Sequence, residues 1–322
     1  MEENDSQSHD MEQFFAPLIG PNFIGARVRH LTRHTKDLPE VNAHFLYLAF
    51  QNDRPAIDAL VDALKYCILP FCTTKEELAK AKRADEAFPY GSPEIQRLLE
   101  TAKRRFILST KGPSKSGEGG ELLLFAFIEH FLQAPIILSK MRLKTSARMP
   151  VHGADGVHAR WDSKNNRLVI IFGESKVHAS CPSAIKAAAK SVGDFANNVN
   201  DRKTYELQLT TDHIDLDGFP EGAKTELLRY LHPFATQEAN RREDRFAILL
   251  AYESAVYGEL EDVDSAELAF VERYREDLEH VLGHAKLHLK EHKVSLRHVD
   301  LFLFPLPNVQ TFRDQFKDAL RV

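Results

Sequence analysis

The segment 118–133 constrains the fold of this chain more than any other. Leu122, Leu123, Leu124, Phe125, Phe127 and Ile128 leave almost no polar side on a stretch of helical length. A helix that is apolar all round must be covered all round, so it calls for a layered domain. The chain that follows supplies a layer. Strand patterns occur at 136–142, 155–161 and 168–174, and Asn165-Asn166 between the last two marks the turn of a hairpin.

Helical and strand signals then alternate. An alanine-rich helix is expected over 182–198, a strand over 204–210, a short helix over 222–230 and a strand over 246–252. A long charged helix over 265–292, a strand over 301–304 and a helix from Asn308 complete the chain. That order predicts an α/β fold, helices packed on a mixed sheet. Ahead of it, short strands fit 11–50. Ile57, Leu60, Val61 and Leu64 fit a helix over 55–69 that Pro70 ends. Helices are also expected over 75–88 and 93–106, with Pro93 in a first turn. Residues 1–10 read as disordered. The Gly-, Ser- and Lys-rich stretch 111–120 reads as a boundary between an N-terminal α+β region, 1–112, suited to partner binding, and a larger domain, 113–322.

Composition narrows the function. A chain of 322 residues can bury a sizeable core. No apolar run reaches the length of a bilayer span, and the polar, acidic start does not resemble a signal peptide. Three cysteines, Cys67, Cys72 and Cys181, fit ordinary thiols in a reducing compartment. The expectation is a cytoplasmic protein without a membrane partner. A net charge of −5 argues against a free-standing nucleic-acid binder. Basic residues nevertheless concentrate between Lys103 and Arg148, including Lys111, Lys115, Lys140, Arg142 and Lys144, and return at Lys186, Lys190, Arg241, Arg242 and Arg245. The first group is a candidate groove for a nucleic-acid backbone.

The chemistry concentrates at 153–176. Gly153-Ala154-Asp155-Gly156 opens one strand, and Glu174-Ser175-Lys176 closes the next. Strand side chains alternate, so Glu174 and Lys176 share a face and Ser175 takes the other. Asp155 and Glu174 are hard oxygen donors of the kind that hold Mg²⁺ while leaving room for water and phosphate. Lys176 is placed to orient water or to stabilise charge on phosphate. Glu118 and Glu121 lie three apart on the apolar helix. Glu121 is expected to be the deeper of the two and to complete the cation's shell.

A helix acid, an Asp at a strand start and an acid-x-Lys on the next strand together resemble the restriction-endonuclease-like PD-(D/E)xK nucleases. Gly153 to Arg160 and Phe172 to Val177, with Gly117 to Leu123 and Ser191 to Phe195, resemble more closely the HamA family of bacterial Hachiman anti-phage systems. This likeness covers about 113–322, and Ala154 stands where the superfamily name has proline. It implies a restriction-endonuclease-like core with metal ligands Asp155, Glu174 and Glu121, and with Lys176 in catalysis. It also implies a DNA nuclease dependent on Mg²⁺, with Mn²⁺ as a substitute, that acts with and is restrained by a HamB-like helicase. The alternative is a catalytically silent adaptor or sensor with the same fold.

Other patterns carry less. Gly112 to Gly117 looks like a phosphate loop, but Glu118 stands where Lys-Ser or Lys-Thr is needed. His280, His284, His288 and His292 recur every four residues. Without cysteine or a zinc-protease motif beside them, they read as a solvated stripe.

Overall fold

The computed structural model describes residues 11–21, 23–31, 41–109, 117–143, 153–216, 219–260, 263 and 265–321. Residues 1–10, most of the expected boundary at 111–120, and Lys111, Lys115, Lys144 and Arg148 lie outside them.

Seven strands form one mixed sheet: β1 (Val28–His30), β2 (Asn42–Leu48), β3 (Ile136–Ser139), β4 (Gly156–Asp162), β5 (Arg167–His178), β6 (Arg242–Glu253) and β7 (Val299–Leu306). Their order across the sheet is β1-β2-β7-β6-β5-β4-β3. The centre, β2-β7-β6-β5, is parallel, and the outer strands pair antiparallel. Parallel strands are covered on both faces, which explains the unbroken apolar runs in β6 and β7. The α/β expectation therefore holds. Strands β1 and β2, from the first 112 residues, belong to the same sheet as the rest, because β2 pairs with β7.

The helices are α1 (Ile57–Cys72), α2 (Lys75–Asp85), α3 (Pro93–Ser109), α4 (Glu118–Leu132), α5 (Lys140–Leu143), α6 (Cys181–Ala196), α7 (Arg202–His213), α8 (Glu221–Tyr230), α9 (Ala266–Glu291) and α10 (Val309–Leu320). Alternation along β5 divides the core. Leu168, Ile170 and Phe172 join the cluster under α6 and α9, while Val169, Ile171 and Val177 join the one under α1, α4 and α10. The apolar helix α4 is thus enclosed between β5 and α1. Its close approach depends on Gly120, where a Cβ would come within 2.6 Å of Val177 Cγ2.

Four local expectations need correction. In the stretch 11–50, read as short strands, residues 11–15 are helical and Ala16–Leu18 and Ile24–Ala26 are 3-10 turns. Residues 204–210 are not a strand but the middle of α7. Pro70 does not end α1, which runs on to Cys72 with Pro70 in its last turn. The proline forfeits its own N–H bond to the preceding turn, but the helix closes beyond it, where Thr73 donates its N–H to Leu69 O at 3.0 Å. The segment 136–142 divides into β3 and the short α5. Cys67 and Cys72 are buried on α1, as expected of ordinary thiols. Among the described residues no helix is long and apolar enough to cross a membrane.

Candidate active site

The β4–β5 hairpin sets the geometry. Its register pairs Val157 with Phe172; two residues further out, Asp155 comes opposite Glu174. The Asp155 N–H donates to Gly173 O at 2.8 Å, so the pairing continues past the end of β4. Ser175 then fixes the Asp155 carboxylate: its backbone N–H (2.7 Å) and its hydroxyl (2.8 Å) both donate to Oδ2. On the other side of the strand, Lys176 Nζ makes an ion pair with Glu174 Oε1. The Asp155 charge acts on both Glu174 and Lys176, so the predicted trio shares one neighbourhood.

Glu121 belongs to the same neighbourhood, because its charge is among those that act on Lys176. The expected depths are reversed, however. Glu118 is buried and Glu121 is only half-buried.

Electrostatics mark the site as acid-rich. Burial, then the Asp155 charge, push the Glu174 carboxyl above its usual range, against Lys176 and Lys140. Burial works against the Lys176 ammonium, but Glu174, Asp155 and Glu121 together hold it above the usual lysine range. Three carboxylates, Asp155, Glu174 and Glu121, act on Lys176, and Lys140 is the second cation that acts on Glu174. Such a field attracts a cation, and two carboxylates are what Mg²⁺ usually takes from protein, keeping water in its other positions. Among the described residues no group of three or more His, Cys, Asp or Glu is close enough to hold a metal ion. The donor set thus fits a two-carboxylate site and not an all-protein cage.

Comparison with known families decides the membership. The HamA family matches residues 26–320 of this chain. The chain belongs to the HamA family. No curated protein matches it. The match takes in β1, β2 and α1 to α3 as well as the site, so the HamA likeness starts well ahead of residue 113. Membership makes the protein a component of Hachiman anti-phage defence.

Two residues of this HamA chain that the sequence did not single out as site groups stand behind the trio. Lys140, expected in an open groove, is buried: its ammonium donates to Gly153 O and lies 4.0 Å from Asp155 Oδ1. Glu206, on α7, is 1% exposed. Its Oε2 sits where a Gly153 Cβ would be, 1.6 Å away, and Gly153 has φ +136°, so only glycine serves there. Burial, with the Asp155 charge adding, raises the Glu206 carboxyl to about 7, against Lys140, the Ala154 N–H and Arg202. That N–H falls short of full hydrogen-bond geometry, and neither carboxylate oxygen is bonded among the described residues. The wrong assignment of 204–210 concealed Glu206. A helix would have put its carboxylate on the Leu207 and Thr210 side, which is buried.

The remaining candidates lie elsewhere. Lys186 and Lys190 are exposed on α6, and Lys190 pairs with Asp194 at 3.3 Å. His280 and His284 are exposed, ring centroids 4.5 Å apart, and His288 pairs with Glu291.

Proposed function

We propose that this HamA is a Mg²⁺-dependent deoxyribonuclease, the effector of an anti-phage complex, which acts with and is restrained by a helicase partner. The observation that carries the reading is the proximity of Asp155, Glu174 and Lys176, with Glu121 also acting on Lys176, at the end of β5.

Asp155 and Glu174 would hold the ion. When bound, Mg²⁺ supplies Lewis acidity toward a phosphate oxygen and lowers the pKa of a coordinated water. The chain does the rest. Ser175 locks Asp155 Oδ2 through two donors, so its carboxylate needs little reorganisation. Lys176, held charged by its acidic neighbours, acts through its charge and not as a base. Its ammonium orients the attacking water or offsets the charge growing on the phosphate. Lys140 keeps the Gly153–Asp155 bend in place through Gly153 O.

The test is cleavage of plasmid, linear and single-stranded DNA by purified protein, with Mg²⁺ or chelator, alone and with its helicase. Glu174→Ala and Lys176→Ala should each slow cleavage by at least about 100-fold. Equal degradation by both variants and the parent overturns the assignment.

The other reading is a silent adaptor, in which Glu174 and Lys176 serve only as an ion pair. The doubly substituted protein separates the two. Intact assembly with lost phage protection supports catalysis, and intact assembly with full protection supports the adaptor.

A further inference from the structure

A cavity outside the hairpin acids shares no lining residue with them. It has a volume of about 470 Å³ and is enclosed by α1, α2, the C-terminal half of α4 and α5. That volume falls within the range of small-molecule sites. Tyr66, Pro70 and Phe125 give it an apolar and aromatic wall, while Lys75, Lys82 and Arg142 bring three cations to it against one acid, Glu129. Asp215 and Glu77 act on the same cations from outside the lining.

Arg142 is the deciding residue. It is largely buried, and its Nε and Nη1 donors are hydrogen-bonded to nothing among the described residues. Arginine presents these donors as a rigid fork that matches two oxygens of a phosphate. A buried donor left unmade is costly, so an orphaned guanidinium edge on a cavity wall points to a ligand. Lys75 opens α2 beside it, and each cation lies within the other's field. Asp215, Glu77 and Cys72 offset the Arg142 charge, Arg105 opposes it, and Glu129 and Asp215 support Lys75. The Glu129 carboxylate is itself engaged by the Ile136 N–H at 3.3 Å.

We propose that this cavity binds a phosphate monoester of mononucleotide size, its phosphate between Arg142 and Lys75 and its flat body against Tyr66, Pro70 and Phe125. The site is independent of the nuclease reading, since it shares no residue with the hairpin acids.

Calorimetric titration of the full chain with AMP, adenosine and inorganic phosphate, in chelator and at matched ionic strength, tests it. AMP should bind at least tenfold more tightly than adenosine or phosphate. Arg142→Gln should weaken AMP at least tenfold, while Glu174→Ala leaves it unchanged. Where Arg142→Gln does not fold by circular dichroism, Lys75→Gln and the surface change Tyr66→Ala give the same reading. Absence of AMP binding overturns the proposal. So does binding that survives the cavity substitutions, or that is lost with Glu174→Ala, which would put AMP at the nuclease site.

Discussion

Glu206 and Gly153 show how one residue's chemistry restricts another's. The carboxylate occupies the volume of a missing Cβ, so the first glycine of the Gly-Ala-Asp-Gly segment is a steric consequence of α7. It also carries a pH dependence. Burial raises the Glu206 carboxyl from 4.5 to about 7. The folded protein therefore keeps a proton that the unfolded chain releases between those values. Stability falls as pH rises through that window, and the loss is complete above the folded value. The gap corresponds to about 3 kcal/mol. Glu206→Gln, which keeps the shape and removes the charge, should stabilise the metal-free protein by up to about that amount at pH 8 and by little at pH 5. Urea unfolding at the two pH values measures it, and equal gains at both would mean that charge is not the cause.

At the scale of elements, most of the fold was legible because apolar period and burial agreed. Helix α4, the β4–β5 hairpin and α9 follow their patterns. The helix α10 starts where Asn308 predicts it, its side chain accepting from the Thr311 N–H at 2.7 Å. Helix α7 was not legible, for a physical reason. Tyr205, Leu207 and Leu209 alternate as in a strand, yet the buried side of the helix is Glu206, Leu207 and Thr210, two of them polar. Its start is set by Asn198, which lies outside the apolar pattern, in the left-handed region at φ 52°. The Asn198 Oδ1 accepts from the N–H groups of Lys203 and Thr204 at 2.9 and 3.1 Å. Asn198→Ala loses both acceptor contacts and suits the left-handed backbone less well. It should cost about 1–2 kcal/mol. Faster amide exchange should appear over 202–213, with β6 unchanged. Uniform acceleration across the chain would show that Asn198 supports the whole fold and not this helix.

Across the whole molecule, charge reads differently in space than in sequence. Arg242 and Arg245 looked like part of a basic face. Instead, Arg242 is buried against Asp244 at 2.8 Å. Arg245 bridges Glu243 at 3.0 Å and Asp300 at 2.9 Å. Asn42 donates to the same Asp300 at 2.6 Å, and Arg167 joins Glu243 to Asp162. This chain of contacts crosses β2, β7, β6, β5 and β4, at the opposite end of β5 from Glu174 and Lys176. Those cations hold the sheet together, and neutralised cations release few counterions from DNA. Arg245→Ala leaves Asp300 buried without its cation, a change that costs about 3–5 kcal/mol in comparable settings. Unfolding of the purified chain should show a loss of that order, and Arg245→Ala with Asp300→Asn should recover part of it. The salt dependence of DNA binding by the complex with the proposed helicase partner should stay within about one phosphate contact of the parent. A fall in that slope at unchanged stability would return Arg245 to the DNA. The expected pair of results instead assigns this end of the sheet to cohesion, and leaves the proposed contact with nucleic acid to the hairpin end and to the proposed partner.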